Sequence, residues 1–139
     1  MKKIGFLMLT LLLVFSLVGC QSASSVRAVQ DARPLCTEQN STYQLELKQS
    51  SYHTMPITVS EDQPYWGMLI QNTGSSPIRI DLNRNEQIVS VEPGQQMWIY
   101  DQELFQAGTY EVSFSSADMN EMSGSAEFWC VDSEKAVTV

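Results

Sequence analysis

The sequence predicts an all-β fold, an antiparallel β-sandwich of about seven to eight strands. Three observations carry this. From Tyr43 onward apolar residues alternate by twos, turn-forming clusters break the alternation about every ten residues, and no stretch there keeps a helical period beyond one turn. Strands so closely spaced leave no room for helical crossovers, so they pair antiparallel.

The elements follow in order. The 139-residue chain opens Met1-Lys2-Lys3, runs through Ile4–Val18 with only Gly5, Thr10 and Ser16 among the apolar residues, and reaches Gly19-Cys20. An apolar run of about 15 residues is shorter than the ~20 a spanning helix needs. With lysines before it and small residues after it, the segment has the three parts of an export signal. Residues 1–19 are expected to be removed as a signal peptide.

Leu17-Val18-Gly19-Cys20 resembles the lipobox of bacterial lipoproteins, a leucine and two small or aliphatic residues before a cysteine. The resemblance covers residues 1 to 21. It implies that Cys20 is thioether-linked to diacylglycerol, carries fatty-acyl chains such as palmitate, and becomes the first residue of the mature protein. Each buried methylene contributes about 0.8 kcal/mol, so one chain anchors marginally and two anchor stably. The implied location is the cell membrane or outer membrane, facing outside the cytoplasm; Gln21, where an aspartate would favour inner-membrane retention, permits the latter.

Residues 20–35 read as a tether: Gln21–Leu35 is rich in Ser, Ala, Gln and Arg and has no aromatic residue. Extended, such a stretch reaches about 50 Å. A short helix over Val26–Ala32 is the alternative there. Residues 36–139 then form the domain. Its strands are carried by Tyr43-Leu45-Leu47, Ile57-Val59, Trp66-Met68-Ile70, Ile78-Ile80-Leu82, Met97-Ile99, Tyr110-Val112-Phe114 and Ala126-Phe128-Cys130. Turns fall at Glu61–Pro64, Asn72–Pro77, Asn83–Glu86, Glu92-Pro93-Gly94, Ala107-Gly108 and Ser123-Gly124. Ser116–Ser123 has room for one helical turn. The Asn72-x-Gly74 turn and the Gly108-x-Tyr110-x-Val112 strand are similar to segments of immunoglobulin-like and jelly-roll sandwiches. There the glycine allows a bend, and the tyrosine buries its ring while its hydroxyl reaches a backbone partner.

Charge narrows the partners. The chain carries a net charge of −8, and loss of Lys2 and Lys3 with the leader takes it to −10. Such a surface repels phosphate backbones, so nucleic acid is not an expected partner. With Cys20 lipidated, Cys36 and Cys130 remain as an even pair in a compartment that permits oxidation, and a bridge between them is expected. Closing that loop stabilises by about 4–5 kcal/mol in the chain-entropy model, with two reduced thiols as the alternative.

No catalytic constellation is legible. His53 is the only histidine, so neither a Ser-His-Asp triad nor a multi-histidine zinc site can be assembled. Nucleophile-elbow and phosphate-loop motifs are missing, and Asp101 and Glu103 read as surface carboxylates. Asp81-x-Asn83-x-Asn85 with Glu92 imitates a calcium loop, but Glu86 stands where glycine is needed, and a hairpin turn explains the pattern better. Met119-x-x-Met122 with His53 and Met55 offers soft ligands of the kind cuprous copper takes. No metal or cofactor is expected.

Aromatic residues fall on both phases of their strands, at Tyr65-Trp66, Trp98–Tyr100 and Phe128-Trp129. By phase, Trp98, Tyr100 and Trp129 point away from the core between the sheets, as candidate stacking residues or as residues buried beneath a loop. The sequence thus points to a lipid-anchored binding or structural module of the bacterial cell envelope, not an enzyme. Its expected partners are the membrane, an envelope protein or transporter, or a glycan. One alternative is a carbohydrate-binding module using those three aromatics; another is an accessory metal-handling lipoprotein.

Overall fold

The computed structural model describes residues 25–82 and 88–139, so the leader, Cys20 and the Asn83 and Asn85 positions lie outside the described residues. Within them run β1 Val26–Gln30, β2 Tyr43–Leu47, β3 Tyr52–Val59, β4 Tyr65–Asn72, β5 Ile78–Leu82, β6 Ile88–Val91, β7 Gln96–Asp101, β8 Gly108–Ser116 and β9 Gly124–Val131. Short 3-10 turns occupy Leu35–Glu38, Gln102–Leu104 and Glu134–Ala136.

Two antiparallel sheets result, one of five strands in the order β1-β7-β4-β9-β2 and one of four in the order β3-β8-β5-β6. From β2 the chain runs out to β5 and then returns strand against strand: β6 pairs β5, β7 pairs β4, β8 pairs β3 and β9 pairs β2. That winding is the jelly roll, one of the two sandwich types the sequence leaves open.

Alternation decides what fills the interior. Trp66, Met68 and Ile70 on β4, Ile78, Ile80 and Leu82 on β5, Val112 and Phe114 on β8, and Ala126 and Phe128 on β9 share one core between the sheets. Cross-strand partners such as Met68 with Phe128 and Ile80 with Phe114 stack within it. Each such side chain contributes roughly 1.5–3 kcal/mol by leaving water. Tyr110 behaves as its sequence context predicts: its ring is in the core and its hydroxyl donates to the Gln106 carbonyl at 2.9 Å.

Buried Asn72 ties two connections together. Its amide donates to the carbonyls of Ser76 and Val91, both at 2.9 Å, and its side-chain oxygen accepts from the Gly74 N–H. Replacing Asn72 with Ala leaves two buried carbonyls unpaired, so we expect a stability loss of about 2–3 kcal/mol by urea denaturation. The β8–β9 connection is a tight turn rather than a helical one. The Ser116 and Ser76 hydroxyls donate to Asp118, joined by the Asn120 N–H, and hold its carboxyl well below the usual carboxylate range.

One assignment at the N-terminal end changes. Val26–Gln30, read as tether, pairs along its whole length with Met97–Asp101 of β7. The ladder holds this edge strand, while its own side chains are mostly exposed, which is why hydrophobic alternation does not reveal it. Leu35–Glu38, at the expected domain start, lies against the outer face of the five-stranded sheet, with Cys36 buried.

Candidate functional site

Each outer face of the sandwich carries a hollow, that on the five-stranded sheet being about 230 Å³ and lined by Arg33, Thr37, Leu69, Gln96, Glu127 and Trp129, but the two faces differ in what they expose. On the five-stranded sheet, Trp98, Tyr100 and Trp129 do point away from the central core, as their phase predicts, but they are only 0%, 5% and 4% exposed. They form a second core with Cys36, Val131 and Val137, packed further by Tyr65, Leu69 and Phe105. The β1–β2 connection and the C-terminal segment close it. The Trp98 indole N–H donates to the Val137 carbonyl at 2.8 Å and the Trp129 indole N–H to the Gln39 carbonyl at 2.9 Å. Trp98 and Trp129 lie 5.7 Å apart, and Phe105 stacks on Tyr100. Of the two readings of their phase, burial beneath a covering segment is the one the structure shows, and the surface stacking platform is corrected. The covering segments are too short and too mixed in composition to announce themselves.

The disulfide expectation meets the same face. Cys36 and Cys130 are free, buried thiols. Cys36 belongs to the outer core, whereas Cys130, one residue on from Trp129, turns into the core between the sheets. The five-stranded sheet itself separates them. Burial pushes the Cys36 thiol up to about 11 and raises that of Cys130 as well. A thiol reagent such as DTNB should leave both unlabelled in the native protein and label both after denaturation.

The remaining sequence candidates do not gather. Asp101 is buried and accepts the Glu103 N–H at 3.0 Å, as the cap of a 3-10 turn. Met122 is in the central core while Met119 is in solvent, and His53 sits 3.2 Å from the Lys48 carbonyl. Among the described residues no three His, Cys, Asp or Glu side chains cluster as a metal requires.

The four-stranded sheet presents the opposite picture. Its alternation is apolar inward and polar outward: Tyr52, Thr54, Pro56 and Thr58 on β3, Glu111, Ser113 and Ser115 on β8, Arg79 and Asp81 on β5, and Ile88 and Ser90 on β6 take the outer phase. The registers set them in rows, Tyr52 beside Ser115 beside Arg79 beside Ser90, and Thr54 beside Ser113 beside Asp81 beside Ile88. A hollow of about 330 Å³ opens here, lined by Tyr52, Arg79, Asp81, Ile88, Glu111, Ser113 and Ser115. Tyr52 and Ile88, 55% and 58% exposed, are large apolar groups left in solvent beside it. The Tyr52 hydroxyl meets Ser113 Oγ at 3.3 Å. Asp81 Oδ1 is buried, and no donor among the described residues reaches it.

Sequence reasoning passed over this face because serine, threonine and single charges on alternate strand positions are what any solvated sheet shows. Register, which a single sequence does not reveal, brings them together. No protein-family model, no curated protein and no solved structure matches the chain.

Proposed function

We propose that the protein is a lipid-anchored module on the outer side of a bacterial membrane that works by contact, using the open face of its four-stranded sheet. The observation that carries this is the difference in what the two faces expose. One has its aromatic residues sealed by the β1–β2 connection and the C-terminal segment. The other is open, hydroxyl-lined and hollow over about 330 Å³, with Tyr52 and Ile88 left exposed beside the hollow.

The anchoring half rests on Leu17-Val18-Gly19-Cys20 and on the apolar leader. Pairing of β1 from Val26 shortens the leash between Cys20 and the first strand to Gln21–Ser25. At about 3.3–3.6 Å per residue those five residues span at most ~18 Å, so the sandwich rides close to the headgroups. Partners are accordingly at the membrane surface.

The test has two parts. In cells fed labelled palmitate, the wild-type chain takes up label and enters the detergent phase, and Cys20→Ser does neither. In membranes, a photo-crosslinking residue at Ser115 captures a ligand while one at Gln44, on the β2 edge, captures none. Label retained by Cys20→Ser contradicts the anchor; equal capture at both positions contradicts the face.

A further inference from the structure

We infer that the ligand of this open face is an uncharged, polyhydroxylated chain, a glycan, lying across β8 and β5 and donating a hydroxyl to Asp81. This rests on the contact reading above and names its ligand class. The donor and acceptor inventory of the hollow supplies the argument. Arg79 only donates and the Asp81 carboxylate only accepts, while the Tyr52, Ser113 and Ser115 hydroxyls do both. A ligand that meets all three kinds within one hollow needs groups that donate and accept, which is what a sugar hydroxyl is.

Charge excludes the simpler classes. A phosphate or sulfate would meet Arg79 but also the Asp81 carboxylate and a chain of net charge −8. A bare cation would meet the Asp81 carboxylate beside the Arg79 guanidinium. A neutral ligand meets neither repulsion.

Shape agrees. The hollow of about 330 Å³ is at the lower end of small-ligand sites, which fits one or two sugar rings rather than a folded partner. Four strands at ~4.8 Å spacing make a face ~14 Å across, open at both sides, so a chain can continue past the hollow. Tyr52 and Ile88 stand on β3 and β6, the two edges of the sheet. Their exposed apolar surfaces are placed to pack the C–H faces of rings that the central strands bind by hydrogen bonds.

The experiment uses the full lipidated chain in detergent micelles, titrated calorimetrically with three neutral probes: chitohexaose, cellohexaose and maltohexaose. At least one should bind. Asp81→Leu should weaken that binding about tenfold or more, because a hydrogen bond to a charged group is lost. Its melting temperature should hold or rise, since an unpaired buried oxygen is removed, and a merely structural aspartate would show the reverse. Tyr52→Ala should weaken binding severalfold with stability unchanged, and Gln44→Ala should change neither. Failure of all three probes to bind, or binding indifferent to Asp81→Leu and Tyr52→Ala, overturns the glycan assignment. Should the Ser115 crosslinker meanwhile capture a protein, the contact reading stands and only the ligand class falls.

Discussion

Trp98→Ala should cost about 3–5 kcal/mol of folding stability, the range for deleting a large buried aromatic side chain. The indole is fully buried, packs on Trp129 at 5.7 Å, and holds the C-terminal segment through its 2.8 Å bond to Val137. Its removal opens a cavity in the outer core and leaves the Val137 carbonyl without its donor. For a domain of this size the loss corresponds to a fall in melting temperature of roughly 10–20 °C. Urea denaturation distinguishes this from the surface-platform role that phase alone permits. A solvent-facing tryptophan would change stability by no more than about 0.5 kcal/mol.

Gly67→Ala is the second large effect, and it is tied to the first. Gly67 lies on β4, and a Cβ built there falls 2.0 Å from Trp98 Cζ2 and 2.5 Å from Cη2. The indole occupies the space that any other residue at position 67 would claim. Overpacking of that kind costs about 1–3 kcal/mol, because the ring has to leave its rotamer and drag the C-terminal cover with it. In the Trp98→Ala background the clash is gone, and alanine suits a strand better than glycine. There Gly67→Ala should be neutral or slightly stabilising. A double-mutant cycle reads this as a coupling of about 1–3 kcal/mol, whereas additive losses would place the ring elsewhere.

The legible part of this fold is the part that alternation encodes. The seven strands from Tyr43-Leu45-Leu47 to Ala126-Phe128-Cys130 all form, with the Asn72 and Gly108 turns between them. Two further strands were not legible. Val26–Gln30 is an edge strand with little burial, held by the β7 ladder, and Ile88–Val91 is four residues long beside a turn cluster. The same limit explains the aromatic residues. Phase puts Trp98, Tyr100 and Trp129 on the outer side of their sheet, and only the path of Asp31–Asn40 and Glu134–Val139 makes that side an interior. It also explains the thiols, whose spacing invites a bridge and whose opposite faces prevent one.

The site was hidden for a different physical reason. Tyr52, Arg79, Asp81 and Ser113 are scattered over some sixty positions, and each is unremarkable alone. Their proximity follows from the β3-β8-β5 pairings, which a jelly roll makes between distant parts of the chain. Loop-closure cost makes such non-local pairings slow to form, so the face assembles only with the whole sandwich.

The two faces divide by what covers their side chains: aromatic residues sealed on one, polar rows open on the other. Quenching of tryptophan fluorescence by iodide tests this division most directly, because the chain has three tryptophans and Trp66, Trp98 and Trp129 are all buried. Native protein should emit at short wavelength and resist the quencher, becoming fully quenchable on denaturation. A native fraction corresponding to one or two tryptophans, red-shifted and readily quenched, would mean that the aromatic face is open to solvent and the division wrong.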